Sequence, residues 1–280
     1  MRPFIGAERL ASLTTPRIHQ LDDQLRSAGR SLAMRRKVLT NVKTMLAFAQ
    51  GRGLVAQNVA HSVKLRSEDR EAKGPLREGV DFPTRAELKM LMDAVTGRWR
   101  PFLITAIFTG LRASELRGLQ WQDVDLDSGV IHVRRRADAW GTIGHTKSKM
   151  GKRDIPLPPL VTNALNAWKP TCPVGEHGLT FPNGAGNVEN QSNILERFWA
   201  PLQISCGLTR GNAPRYRFHS LRHAAASLFI AFLGWQPKRV QTVLGHSSIT
   251  MTFDRYGHLF EDPKSDREAM QKLEAAIVAA

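Results

Sequence analysis

The chain has 280 residues, 42% of them apolar, which suffices for one large domain or two modest ones with proper cores. Forty Lys and Arg against twenty-five Asp and Glu leave a formal charge of +15, which favours a polyanionic partner such as nucleic acid over an acidic small molecule. Two cysteines, Cys172 and Cys206, are too few for a disulfide framework and fit a reducing, cytoplasmic compartment; with His177 they match no zinc-finger spacing and lack a fourth ligand, so no metal is expected.

In chain order, Met1 to Glu8 has no apolar core long enough for a signal peptide. Pro16 to Ala28 reads as a short helix. From Ser31 to Gln50, Val38, Val42, Met45 and Ala49, with Leu39 and Leu46 beside them, recur at three and four residues. That spacing predicts an amphipathic helix with Arg35, Arg36 and Lys43 on a basic outer face. Ser31 can cap its start, and Gly51-Arg52-Gly53 ends it. Through Leu76, fourteen Lys and Arg stand against six Asp and Glu, so this stretch reads as a DNA-clamping helical domain over residues 1–66, with a solvated helix face as the alternative. Residues 67–83, rich in charge and containing Gly74-Pro75 and Gly79, carry no apolar period and read as a linker.

The second domain, 84–260, starts with a capping-box pattern, Thr84 and Glu87, ahead of Leu88, Leu91 and Met92. Pro101 to Phe108 predicts a strongly buried helix that Gly110 breaks. Between Trp121 and Leu157 the pattern alternates, as in Val130 to Val133, with turn residues at Asp127 to Gly129 and Met150-Gly151. Helices return at Pro159–Trp168, Asn193–Cys206, Ser220–Leu233, Pro237–Leu244 and Ser247–Tyr256. The longest apolar run, Ala224 to Leu233, is about half a bilayer span and contains Ser227, so it reads as a buried helix and no membrane segment is expected. A tail over 261–280 places Met270, Leu273, Ala276 and Ile277 at helical spacing. The fold class is therefore mainly α with a small antiparallel β-sheet (α+β).

Breaking a phosphodiester without a metal requires neutralising the charge that builds on its nonbridging oxygens, and guanidinium forks suit this because they bond bidentately and stay protonated. Arg112 and Arg222 are the candidates. Arg112 follows the Gly110 break into a new helix, and Glu115 three residues on can hold it. His219 and Arg222 are spaced i and i+3, so both can reach one phosphate from one helix face, while His223 reads as pointing elsewhere, into packing or solvent. His246, between Gly245 and Ser247, sits at a helix junction where it can donate to the same phosphate.

Tyr256 ends a helix just before Gly257, where a side chain can be mobile and exposed. An unperturbed phenol with a pKa near 10 carries a handicap of roughly 4 kcal/mol as a nucleophile at neutral pH. Nearby cations lower that cost and a histidine base, His219, removes the proton. The competing tyrosine, Tyr216, stands between Arg215 and Arg217, and the three read as DNA backbone contact or packing. Thr146 to Pro156 supplies Lys147, Lys149, Lys152 and Arg153 on a predicted hairpin that can enter a groove and touch phosphates. Asp123, Asp125 and Asp127 alternate like the start of a calcium loop, but position six would be Ser128 rather than glycine and position twelve Arg134 rather than glutamate.

Thr109-Gly110-Leu111-Arg112-Ala113-Ser114-Glu115-Leu116-Arg117-Gly118-Leu119, His219-Ser220-Leu221-Arg222, Leu244-Gly245-His246 and, ten residues on, Tyr256 stand in an order that resembles the tyrosine recombinases, the phage-type integrases in particular. The resemblance runs from about Thr14 to Gly257. It implies a helical core-binding domain and a catalytic domain clamped around double-stranded DNA at a specific core site. It implies Arg112, Lys147, His219, Arg222, His246 and Tyr256 as catalytic residues, with Glu115 in support and Lys147 as general acid for the leaving 5′ oxygen. It also implies a 3′-phosphotyrosine intermediate that needs no cofactor, and a homotetramer acting through a Holliday junction, with accessory DNA-bending proteins as candidate partners. The tail then docks on a neighbouring protomer or packs on its own domain. The chain starts almost directly in the core-binding portion, and no separate arm-binding domain is seen. Asn58-Val59-Ala60 stands where many relatives have Asn-Pro-Ala. The rival readings are a type IB-like topoisomerase and a noncatalytic DNA-binding protein in which Pro237 to Tyr256 is a helix-turn-helix.

Overall fold

Several helix starts follow local chemistry in the computed structural model, which describes residues 2–65, 75–146, 149–260 and 263–278 and divides into two units, 1–73 and 74–280. In the first unit α1 (Arg2–Ile5) precedes α2 (Thr15–Ser27), where the Thr14 hydroxyl accepts from Arg17 N and Pro16 occupies the first turn. Ser31 likewise accepts from Met34 N at the start of α3 (Leu32–Gly51). Ile18, Leu21 and Leu25 of α2 meet Val38, Leu39, Val42 and Leu46 of α3, and Ala60 and Val63 complete this core.

Arg35 corrects the expectation of a basic outer face. It stands three and four residues before Val38 and Leu39, hence on the same face, and it is buried with Nε and Nη2 donating to the two Asp22 oxygens at 2.8 and 2.7 Å. Arg36 is exposed, and with Lys43 and Lys64 it lines a shallow cavity of about 200 Å³. Lys43 also donates to His61 O at 3.0 Å.

In the second unit α4 (Arg85–Ala94) starts on a complete capping box, Thr84 N to Glu87 Oε2 at 2.7 Å and Glu87 N to Thr84 Oγ1 at 3.2 Å. Phe82, in the stretch expected to be a linker, is buried in this unit's core, and residues 67–74 lie outside the described residues. α5 (Trp99–Thr109) is buried on almost every face. It ends at Gly110 with φ +61°, where a Cβ would lie 2.9 Å from Leu244 Cδ2 and 3.1 Å from Ala225 Cβ, so both backbone and space demand glycine. The short α6 (Ala113–Arg117) follows.

Five short strands come next: β1 (Val124–Asp125), β2 (Val130–Val133), β3 (Arg135–Ala137), β4 (Ile143–His145) and β5 (Arg153–Pro156). They form an antiparallel sheet in the order β1-β2-β5, with Ile131 opposite Ile155, and a separate β3–β4 ladder. Asp125 Oδ1 accepts from Asp127 N and Ser128 N, so this acid shapes a turn, and no metal-holding group of His, Cys, Asp and Glu occurs among the described residues.

α7 (Pro159–Trp168) precedes α8 (Gln191–Asn193), which runs through a π-turn, Ile194–Trp199, into α9 (Ala200–Ser205). A two-residue hairpin ladder, β6 (Thr209–Arg210) with β7 (Ala213–Pro214), leads to α10 (Ser220–Ala231), α11 (Pro237–Leu244), α12 (Thr250–Tyr256) and α13 (Pro263–Val278). Phe102 stacks on Phe218 at 5.6 Å and Trp99 on Phe198 at 4.5 Å, tying α5 to the region before α10. Each such ring contributes about 2–3 kcal/mol by burial. On α13, Met270, Leu273, Ala276 and Ile277 are all exposed, so this apolar strip does not pack on its own unit. Among the described residues no helix is long and apolar enough to cross a membrane.

Candidate active site

The Gly110 turn brings Arg112 to the N-cap of α6, where Glu115 Oε2 accepts from its backbone N at 2.9 Å and Oε1 from its Nη1 at 2.8 Å. The same carboxylate takes Arg153 Nη1 at 3.0 Å and Nη2 at 2.9 Å from β5. Burial alone would raise the Glu115 pKa, but the bonds and charge of Arg153, with Arg112 behind them, hold it at about 2. Glu115 is therefore a fixed anion between two cations.

Arg153 was expected to touch DNA, and its burial corrects that. β5 alternates, with Arg153 and Ile155 inward and Asp154 and Pro156 outward, and Arg153 Nε donates to Val243 O at 2.5 Å. It acts through Glu115 and the end of α11.

Arg222, on the first turn of α10, is buried, with Nη1 donating to Gly110 O at 2.7 Å and Nη2 to Leu244 O. Burial, with Arg112 nearby, lowers its pKa to about 9, which leaves it protonated at neutral pH. Arg112 Nη2 donates to Gly245 O at 2.8 Å, so the Gly110 and Gly245 turns are each stitched to an arginine. Gly245 has φ +66°, and a Cβ there would lie 3.0 Å from Arg153 Nη1. About a third of the Arg112 side chain stays exposed, which leaves it able to meet a ligand.

The aromatic half of the site is a row of rings. His219, exposed at the N-cap position of α10, crosses His223 at 5.1 Å; His223 lies 6.0 Å from Tyr256, and His246 lies parallel to Tyr256 at 6.5 Å. His223 Nδ1 is 2.6 Å from the Tyr256 hydroxyl, and His246 Nδ1 is 2.9 Å from Thr252 Oγ1. Burial, with added arginine charge at His219 and His246 and chiefly His219 at His223, holds the three imidazoles neutral, at about 4 for His219 and His223 and about 3 for His246. Tyr256 is 1% exposed, against the expectation of a mobile, accessible side chain. Its burial pushes the phenol up to about 12 although Arg222 and Arg255 pull it down.

The second unit thus brings Arg112, Glu115, His219, Arg222, His246 and Tyr256 together. Lys147 lies outside the described residues, and Lys149 opens the turn Lys149–Gly151. Lys152 and Arg217 are exposed. Arg215 is tied to Glu87 at 3.1 Å and to Gly79 O, and Tyr216 is buried with its hydroxyl 3.0 Å from Glu87, which resolves Tyr216 as packing. Two members were missed in the sequence: His223, one helical turn beyond His219 and hence on its face, and Arg153, inward by strand alternation.

The sequence model of the phage integrase family matches residues 82–262, a span that takes in every one of these groups. The chain belongs to the phage integrase family. Over 263 residues this phage integrase homologue is 26% identical to the tyrosine recombinase XerC-like protein of Caldanaerobacter subterraneus subsp. tengcongensis, covering 85% of this chain and 65% of that protein, just under two thirds of its length. The fold matches the Tn1549 transposon integrase solved with a circular intermediate DNA, at a TM-score of 0.70 and 21% identity over 94% of this chain and 86% of that one. It also matches a lambda integrase tetramer bound to a Holliday junction, at a TM-score of 0.58 and 18% identity over 86% of this chain and 66% of that one.

Proposed function

We propose that this phage integrase family member is a site-specific DNA recombinase that cuts and rejoins strands through a 3′-phosphotyrosine, serving a mobile element. The observation that carries the reading is the buried Tyr256, its hydroxyl 2.6 Å from His223 Nδ1 and its ring 6.5 Å from that of His246, with Arg222 close enough to pull its pKa down and Arg112 at the same pair of turns. Tyr256 Oη bonds to phosphorus, the bond from phosphorus to the 5′ oxygen breaks, and the phenol proton passes to a neutral histidine. His223 is the nearest acceptor and His219 the next ring in the row. Arg112, Arg222 and His246 stabilise the nonbridging oxygens, and Lys147 protonates the leaving 5′ oxygen. A second strand's 5′-hydroxyl then attacks the phosphotyrosine and releases Tyr256, so the joint reseals without an external energy source.

A phenol at about 12 costs about 7 kcal/mol to ionise at pH 7, and its burial blocks in-line attack, so α12 shifts when DNA binds. Hydrogen exchange over 250–256 should speed up on core DNA; unchanged or slower exchange would argue against that shift. The partners proposed are double-stranded DNA and three further copies of the chain, in keeping with the lambda integrase tetramer on a Holliday junction. The exposed strip Met270, Leu273 and Ile277 of α13 supplies an apolar face for a neighbouring protomer. Accessory DNA-bending proteins remain part of the proposal.

The test is covalent trapping in chelator on a nicked suicide substrate carrying the attachment core, with Tyr256→Phe alongside. A DNA-shifted band lost in the variant, with DNA binding retained, is expected. No band on DNA that the protein demonstrably binds would favour a noncatalytic DNA-binding protein, and supercoil relaxation by a monomer would favour the topoisomerase reading.

A further inference from the structure

Beside Arg112 the second unit holds an open cavity of about 500 Å³, lined by Arg112, Arg117, Arg136, Asp138, Gln191 and Ser247 among others. Most of its charged groups are already committed. Arg117 donates to Glu189 O at 2.6 Å and to Asp138 O at 3.0 Å, and Arg112 is held by Glu115 and Gly245 O. The Asp138 carboxylate accepts from Trp140 N and Thr142 N. Arg136 differs: its Nε is the one buried side-chain nitrogen without a hydrogen-bond partner among the described residues.

The fold puts it there by close packing. A Cβ on Gly118 would lie 2.6 Å from the Arg136 carbonyl carbon and 2.8 Å from its Cα, so only glycine lets β3 lie against the end of α6. Strand alternation then separates neighbours: Arg135 reaches Asp123 at 3.4 Å, and Arg136 faces the cavity. A buried guanidinium donor with no acceptor is destabilising in the chain by itself, and the acceptor it suits in geometry and charge is an anionic oxygen.

We propose that Arg136, with Gln191 and Ser247, forms a second phosphate subsite that holds a backbone phosphate next to the one attacked by Tyr256. The proposal rests on the recombinase reading for which phosphate is attacked, and it gives Arg136 the role of a positioning residue. By fixing the strand on one side of the scissile bond, the subsite sets the register of Arg112 and Arg222 on the reacting phosphate.

The experiment compares wild type, Arg136→Ala and Arg136→Lys on core duplexes carrying one neutral methylphosphonate at each phosphate around the cleavage position. Affinity is read against salt, and covalent yield on the suicide substrate is read in parallel. Wild type should lose about tenfold in affinity at one flanking position. Arg136→Ala should show that loss on unmodified DNA and no further loss at that position, with the salt slope smaller by about 0.9, and Arg136→Lys should restore the slope. Equal losses in wild type and Arg136→Ala at every position, or an unchanged slope, would overturn the subsite. A wild-type protein that gives no Tyr256-dependent band on unmodified DNA sinks the recombinase reading instead, and the methylphosphonate profile still decides the phosphate contact. Arg136→Ala removes an unsatisfied donor, so the folded protein is expected, and its thermal midpoint checks this.

Discussion

The arginine side of the site and the tyrosine side are built on opposite electrostatic terms. On the first, Glu115 sits between Arg153 and Arg112 as a permanent anion, and Arg222 is pinned to Gly110 O and Leu244 O, so every cation already has its orientation before DNA arrives. On the second, three imidazoles are held neutral by burial and the phenol is pushed up to about 12. On the proposed mechanism, charge stabilisation is then preorganised while the nucleophile is held back, a division that would keep Tyr256 unreactive until a phosphate reaches the arginines.

The largest break in this comparison should come from Arg222→Ala, which ought to lower covalent yield about 10³-fold, about 4 kcal/mol on the barrier, with much weaker loss of DNA affinity. Equal losses in both would assign Arg222 to grip rather than chemistry. Next comes the pair of neighbours Arg153 and Lys152. Arg153→Ala leaves the buried Glu115 carboxylate with Arg112 as its one cation and should cost about 3 kcal/mol in urea denaturation, whereas Lys152→Ala should stay within about 0.5 kcal/mol. Similar costs would mean that Glu115 does not depend on Arg153.

The pH dependence of stability should separate the two sides. His223 and His246 bind protons more weakly folded than unfolded, so their contribution is full above about 6.5 and erodes as pH falls toward 4 and 3. Glu115 is depressed from 4.5 to about 2, so its contribution, about 3 kcal/mol, is present above 4.5 and is lost between there and 2. Glu115→Gln should therefore be less stable at pH 7 and lose less stability than wild type as pH falls below 4.5, the remaining step coming from carboxylates such as Asp125 and Asp154; a variant curve parallel to wild type would contradict the assignment. The smallest effect is expected at Arg217 and Arg36, exposed cations for which alanine should leave stability unchanged and reduce the salt slope of DNA binding by about 0.9 each. An unchanged slope would remove them from the DNA-facing surface.

The sequence by itself determined the starts of α3 and α4, because the caps Ser31 and Thr84 with Glu87 are short-range hydrogen bonds written in adjacent residues, whereas uncapped starts such as Thr250 of α12 fell elsewhere than expected. It also determined the glycine turns and the membership of Arg112, His219, Arg222, His246 and Tyr256, because motif order survives without coordinates. It could have yielded His223 and the inward Arg35 and Arg153, since i, i+4 and i, i+2 spacing are local, but a charged side chain was read as solvent-facing by its type. Only the tertiary structure decided which charges are buried, because that depends on partners 13 residues away for Arg35, 38 for Arg153 and 112 for Arg222. The burial of Tyr256 and its bond to His223, 33 residues earlier, belong to the same class. A residue's own chemistry sets its ordinary pKa and reach, and long-range packing sets the dielectric and the neighbours that turn it into a site.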